Sequence, residues 1–189
     1  MLLMPRKSLL VPKKMFFTKG VGTHKAELRS FELALREAGI EKCNLVKVSS
    51  ILPPECRMIS KNEGLKEVYP GMITYVVMSR CSGNEPHRLI AVSIGCAVPA
   101  DPAAYGYLSE HHAFGQNEKV AGDLAEDLAV EMLASTLGLE FDEDKSWDEN
   151  NATYHLSDKI VRTSNTTQTA VVGPEGNFTT VVAAAVFLF

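Results

Sequence analysis

Apolar positions along the chain recur with two different periods, and the switches between them predict the order of elements. Residues 15–18 form a short β-prone run. Gly20 and Gly22 read as a turn, with Thr23 as a hydroxyl cap for the helix that follows. Leu28, Phe31, Leu35 and Ala38 then fall at helical spacing on one face. Gly39 suits the left-handed stop, and Ile40 can fold back onto the last turn. Residues 44–52 alternate as one strand, halted by Pro53 and Pro54. Residues 71–80 and 88–98 read as two apolar strands joined through CSGNEP, and residues 105–114 as a mixed strand. From about Asn117, Val120, Leu124 and Leu128, with Met132, Leu133 and Leu137, mark a longer helix that Gly138 closes. Asp123, Glu126, Asp127 and Glu131 lie mostly off that stripe and read as a solvated face. DEDKSWDENN is a polar loop, and residues 154–172 and 178–189 are the last strands, separated by GPEG.

Many closely spaced strands with two main helices exclude a doubly wound nucleotide fold. They predict an α+β architecture, largely antiparallel sheet with helices packed outside. The length of 189 residues suits a single domain over residues 15–189, preceded by a loose basic tail at 1–14. With 46% hydrophobic and 22% charged residues the composition is that of a soluble globular protein. A net charge of −4 offers no basic field for nucleic acid, so no nucleic-acid partner is expected. The apolar terminus TTVVAAAVFLF is too short to span a membrane and reads as a buried strand. The start, MLLMPRKSLLVPKK, is broken by prolines and cations and lacks a secretory apolar core. Cys43, Cys56, Cys81 and Cys96 have no CxxC spacing, so they read as reduced thiols in the cytoplasm.

Three stretches invite chemistry. GVGTHK, residues 20–25, could hold an anion ahead of a helix but matches no phosphate-loop pattern, and turn glycines are the plainer reading. In EHH, strand alternation puts Glu110 and His112 on one face and His111 on the other. One carboxylate and one imidazole make an incomplete metal site, so no metal is expected. In NLVKVSSILPPE the serine pair Ser49–Ser50 ends an apolar run just before two prolines. On a continuous strand Asn44, Val46, Val48 and Ser50 share a side, so the Asn44 amide could donate to an oxyanion forming near Ser50. Such a junction suits an internal acyl shift.

These residues also carry a resemblance. KMFFTKGVG, FELALREAGIEKCNLVKVSSILPP, NEPHRLIAVSIG, YGYLSEHHAFGQ and TTVVAAAVF together resemble the pyruvoyl-dependent arginine decarboxylases of archaea and some bacteria, from about Lys14 to the C-terminus. NLVKVSSILPPE is the most specific part. The related pyruvoyl histidine decarboxylases share the fold and a serine–serine cleavage point. The resemblance implies a four-layer αββα sandwich and a homotrimer with sites between neighbouring subunits. It implies self-cleavage between Ser49 and Ser50 into residues 1–49 and 50–189, with Ser50 becoming a pyruvoyl group and no pyridoxal phosphate. Decarboxylation of arginine to agmatine, for polyamine biosynthesis, would then run through a Schiff base on that group. By position Glu110 is the implied general acid, Glu32 the carboxylate for the substrate guanidinium, and Leu35 part of the aliphatic pocket wall. Some family members have aspartate where Glu32 stands. Two alternatives stay open: the same chemistry on another amino acid such as histidine, or an uncleaved, non-enzymatic trimeric protein on the same fold.

Overall fold

A computed structural model describes residues 10–139, 147–148, 153–156 and 159–189. In chain order the elements are β1 (Lys14–His24), α1 (Glu27–Ala38), β2 (Asn44–Lys47), β3 (Ile51–Leu52), β4 (Arg57–Met58), α2 (Lys61–Gly64), β5 (Ile73–Gly83), β6 (Leu89–Val98), β7 (Gly106–Phe114), α3 (Glu118–Thr136), β8 (Trp147–Asp148), β9 (Thr153–Leu156), β10 (Lys159–Val171) and β11 (Phe178–Leu188). They build a five-stranded sheet, β2-β5-β11-β1-β4, and a six-stranded sheet, β3-β7-β6-β10-β9-β8. Most neighbouring strands are antiparallel; β2 with β5 and β1 with β4 are parallel.

The two sheets face each other across one core. Met15, Val77 and Phe187 of the first sheet meet Ile90, Ile94 and Leu108 of the second. α1 covers the outer face of the five-stranded sheet through Ala34 and Ala38, with Ile40 just beyond its end, packed on Phe16, Val182 and Val186. α3 covers the six-stranded sheet through Ala129, Val130 and Leu133 against Ala97 and Tyr107. The result is the expected α+β sandwich of four layers, helix, sheet, sheet, helix. Among the described residues no helix is long and apolar enough to cross a membrane.

Several local expectations need correction. Gly20 and Gly22 are not turn residues, and Thr23 does not cap α1. β1 pairs with β11 without interruption from Lys14 to His24, and Thr23 lies opposite Thr179. The N-cap of α1 is Ala26, which makes no side-chain cap bond. The glycines serve close approach instead. A Cβ on Gly20 would lie 2.2 Å from the Ala34 carbonyl oxygen, and one on Gly22 would lie 2.2 Å from that of Ser30. The other layer repeats the device, since a Cβ on Gly95 of β6 would lie 2.1 Å from the Ala125 carbonyl oxygen.

That approach also overturns much of the expected helix faces, although Ala38 of α1 and Leu133 of α3 are buried as expected. A helix backbone resting on a glycine strand can turn only small side chains toward it. α1 therefore buries Ser30, Ala34 and Ala38, while Leu28 is 78% exposed and Phe31 and Leu35 sit half-buried at the margin. α3 buries Ala121, Gly122, Ala125 and Ala129 and exposes Val120 and Leu124. Of its acidic residues, Asp123 pairs outward with Lys119, whereas Glu126 turns to Asn165 of β10.

The C-terminal ends of α1 and α3 follow expectation, and a side-chain cap at Asn117, not foreseen in the sequence, starts α3. Gly39 takes φ 82° and Ile40 N–H bonds the Leu35 carbonyl; Asn117 Oδ1 accepts from Val120 N; Gly138 takes φ 65° beyond α3. The strand expected over 154–172 is split into β9 and β10, which pair with each other. The expected loop DEDKSWDENN lies largely outside the described residues. So do residues 1–9 of the expected tail, whereas Lys13 N–H already bonds the Leu188 carbonyl at 2.9 Å.

The close contact is testable. Gly22→Ala is expected to lower stability by about 2 kcal/mol or more, as overpacking against backbone does, read from the denaturant midpoint. Gly173→Ala, where an added methyl meets nothing within 4 Å, is expected to leave the midpoint unchanged. An unaltered midpoint for Gly22→Ala contradicts the packing described.

Candidate active site

The serine pair sits where the chain passes from one sheet to the other. β2 runs parallel to β5, and Val48 N–H extends that pairing to the Val76 carbonyl at 3.0 Å. β3 belongs to the opposite sheet, with Ile51 facing Tyr107 of β7, and the Ser50 carbonyl accepts from Leu108 N–H at 2.8 Å. Val48 is thus the last residue held by one sheet and Ser50 the first held by the other, with the exposed Ser49 between them. The Ser49 carbonyl in turn accepts from Ile51 N–H at 2.9 Å, a seven-atom turn centred on Ser50.

The strand expected over 44–52 is therefore two strands in two sheets. Its alternation of apolar residues is real, but each half takes backbone partners from a different neighbour. Asn44 and Ser50 consequently do not share a strand face. The Asn44 amide donates to the Gly71 carbonyl at 3.0 Å and ties down the start of β2.

Glu110 lies next to the crossover. The β3–β7 register carried on to Ser50 sets it opposite Leu108, with Glu110 one diagonal step along β7. Leu108 is buried between the sheets, and alternation turns Glu110 and His112 to the same side at the margin of that core. Lys47 of β2 reaches across to Glu110, Nζ to Oε2 at 3.1 Å. His111 faces the other way and shares a hydrogen bond with Gln116 Oε1 at 2.7 Å. Among the described residues no group of three His, Cys, Asp or Glu could hold a metal.

An apolar cavity of about 510 Å³ opens beside the crossover, lined by Val48, Ser49, Ile51, Tyr75, Tyr105 and Phe187 among others. Glu32 and Leu35 are not in its lining. They stand on α1, outside the five-stranded sheet, with Leu35 half-buried on that layer's core. Glu32 Oε2 meets Arg29 Nη1 at 2.8 Å without forming a hydrogen bond, and Oε1 bonds the Arg36 guanidinium. The Arg36 bond, with Arg29 beside it, holds the Glu32 carboxyl below the usual carboxylate range.

The model of one protein family, pyruvoyl-dependent arginine decarboxylase, matches residues 14–189. This chain belongs to that family. A curated relative from Chloroherpeton thalassium, named probable pyruvoyl-dependent arginine decarboxylase, is 59% identical over 178 residues, covering 94% of this chain and 98% of the relative. One of the same name from Chlorobium phaeovibrioides is 60% identical over the same coverage. Pyruvoyl-dependent arginine decarboxylase 2 of Methanosarcina acetivorans is 54% identical over 179 residues, covering 95% of this chain and 98% of the relative. The family makes the protein a carbon–carbon lyase that depends on a pyruvoyl group.

The residues at the crossover fit such a group. Ser50 has the three-carbon skeleton that such a group needs, and its carbonyl accepts from Leu108 N–H. Cysteine chemistry finds no comparable support. Burial pushes the Cys56 thiol up to about 11 and the Cys96 thiol up to about 12, and it raises Cys81 as well, so all three stay protonated near neutrality.

Sequence reasoning about this pyruvoyl decarboxylase missed Lys47 and the backbone groups of Ile51 and Leu108. Lys47 carried a weak signal, a cation two residues before the serine pair. The two N–H groups carried none, because every residue but proline has one.

Proposed function

We propose that the protein decarboxylates L-arginine to agmatine and carbon dioxide, using a pyruvoyl group made from its own Ser50. The observation that carries this reading is the Ser49–Ser50 peptide bond, which forms the crossover between two sheets one diagonal step from Glu110. The precursor cuts itself there into residues 1–49 and 50–189. Ser50 Oγ attacks the Ser49 carbonyl carbon, its proton passes to the Ser50 nitrogen, and the C–N bond gives way to an ester. Loss of the Ser50 α-proton expels the Ser49 carboxylate from Cβ. The resulting enamine tautomerises, water adds, and ammonia leaves a ketone at position 50.

When formed, that ketone supplies an electron sink conjugated to the substrate's reacting carbon. The chain's own residues do the rest. Leu108 N–H fixes the carbonyl of residue 50. Glu110 delivers the proton to the substrate α-carbon, held in place by Lys47. Asn44 secures β2, and with it the approach to Ser49, through the Gly71 carbonyl.

The guanidinium partner is Glu32, with Leu35 along the aliphatic stem. Within one protomer these residues stand on the far side of the five-stranded sheet from the crossover. The reading therefore needs a second subunit, and in the homotrimer that the resemblance implies Glu32 and Leu35 of one subunit complete the site of its neighbour. Exposed apolar residues around the cavity, Ile51, Tyr105 and Phe189, suit such cover. The four cysteines are free, which suits a reducing cytoplasm.

Intact mass under denaturing conditions tests the maturation. Purified protein is expected to give two fragments, residues 1–49 and 50–189, the larger blocked to N-terminal sequencing and reactive toward carbonyl reagents. Ser50→Ala is expected to stay whole, and its efficient cleavage at the same bond refutes the mechanism.

Glu110→Gln, assayed on material shown to be cleaved, is expected to lose on the order of 10²–10⁴-fold in decarboxylation. Near-normal turnover in such material removes Glu110 from the chemistry.

Substrate choice has its own test. A carboxylate can meet the planar guanidinium fork with two parallel bonds, whereas lysine and ornithine offer a point charge. Glu32→Gln is expected to raise KM for arginine roughly 10–100-fold, the scale of a lost charge-assisted bond, while self-cleavage continues. Unchanged arginine kinetics, or a wild-type preference for histidine, overturns the assignment.

A further inference from the structure

We propose that the backbone N–H of Ile51 is the oxyanion donor for self-cleavage, aimed at the Ser49 carbonyl by the anchoring of the Ser50–Ile51 peptide on β7. The inference rests on the cleavage reading given above and adds to it the group that stabilises its first step.

The geometry begins with a planar trans peptide, in which C=O and N–H point in opposite directions. At the Ser50–Ile51 peptide the carbonyl points into the six-stranded sheet, where Leu108 N–H holds it at 2.8 Å. The N–H of the same unit must then point away from β7. There it meets the Ser49 carbonyl oxygen at 2.9 Å. Among the described residues β3 is the edge strand of its sheet, and no further strand takes that N–H. One peptide unit is clamped at one end and aims its dipole from the other.

The Ser49 carbonyl is the group that changes charge. As Ser50 Oγ adds to its carbon, the π electrons move onto that oxygen, and the negative charge persists until the C–N bond to Ser50 breaks and the nitrogen takes up the hydroxyl proton. The oxygen stays bonded throughout and moves little, so a donor at 2.9 Å in the precursor remains in reach of the oxyanion. The turn that makes this contact is centred on Ser50, which folds the attacking residue and the donor toward the same carbonyl. The Asn44 amide, the donor suggested by strand alternation, is bonded to Gly71 in this structure.

The test replaces Ile51 with its α-hydroxy acid analogue in the full-length chain, which removes the N–H and keeps the side chain. Cleavage is followed as the uncut fraction by intact mass, without any substrate. The ester variant is expected to cut roughly 10²–10³-fold more slowly than wild type, the usual worth of one oxyanion donor, with an unchanged circular dichroism spectrum. Ile51→Val, which keeps the N–H, is expected to cut at the wild-type rate. Ile51→Pro gives a second chain lacking the donor and is expected to stay largely uncut. A folded ester variant that cuts within about threefold of wild type overturns the proposal while leaving self-cleavage standing. A slow Ile51→Val overturns it too, by tracing the effect to the side chain. A wild-type chain that never cuts overturns the cleavage reading itself.

Discussion

One hydrogen bond, Leu108 N–H to the Ser50 carbonyl, fixes where the chain changes sheets. Before it, Val48 is held on β5 through Val76; after it, Ile51 and Leu52 are held on β7. The position of Ser49, the turn about Ser50 and the closeness of Glu110 all follow from that one attachment. Had β3 continued along β5, the serine pair would lie inside a regular ladder. The Ser49 carbonyl would then face a neighbouring strand rather than Ile51 N–H, and Glu110 would belong to the other sheet. The prolines at 53 and 54 limit how far β3 can run, so the crossover cannot relax by sliding.

The same economy shapes the outer layers. Helix backbones sit directly on glycine strands at Gly20, Gly22 and Gly95. This draws the helices close and leaves their larger apolar residues at the margins or in the open, Leu28 above all. Small side chains lose little rotamer freedom on burial, which favours this contact. It also leaves Glu32 and its two arginines on the outer side of the five-stranded sheet.

What could be read from the sequence was local. Helix ends at Gly39 and Gly138 rest on the chemistry of single residues, and the apolar strands announce themselves. What could not be read depended on distant partners. Residues 44–52 look like one strand because their alternation is unbroken, yet the break is set by β5 and β7, far along the chain. The helix faces were misjudged because large residues suggest burial, while the glycines that demand small ones lie on other elements. At the site, the resemblance pointed to Ser50 and Glu110, and the register sets them one diagonal step apart. The Lys47 contact was not legible, since its partner is 63 residues away.

The pairing of β1 with β11 along eleven consecutive positions gives the crossover another meaning. β1 is an interior strand, flanked by β11 and β4, and it carries Phe16 and Met15 into two different cores. A chain severed after Ser49 would keep its first segment woven through the sheet with every neighbour intact. The break would alter the path back rather than the shape: once unfolded, the two pieces must find each other by diffusion, and a process that was intramolecular becomes dependent on concentration. The native state of a chain cut there would have been reached by a route that the cut removes, and its persistence would then rest on the rate of opening.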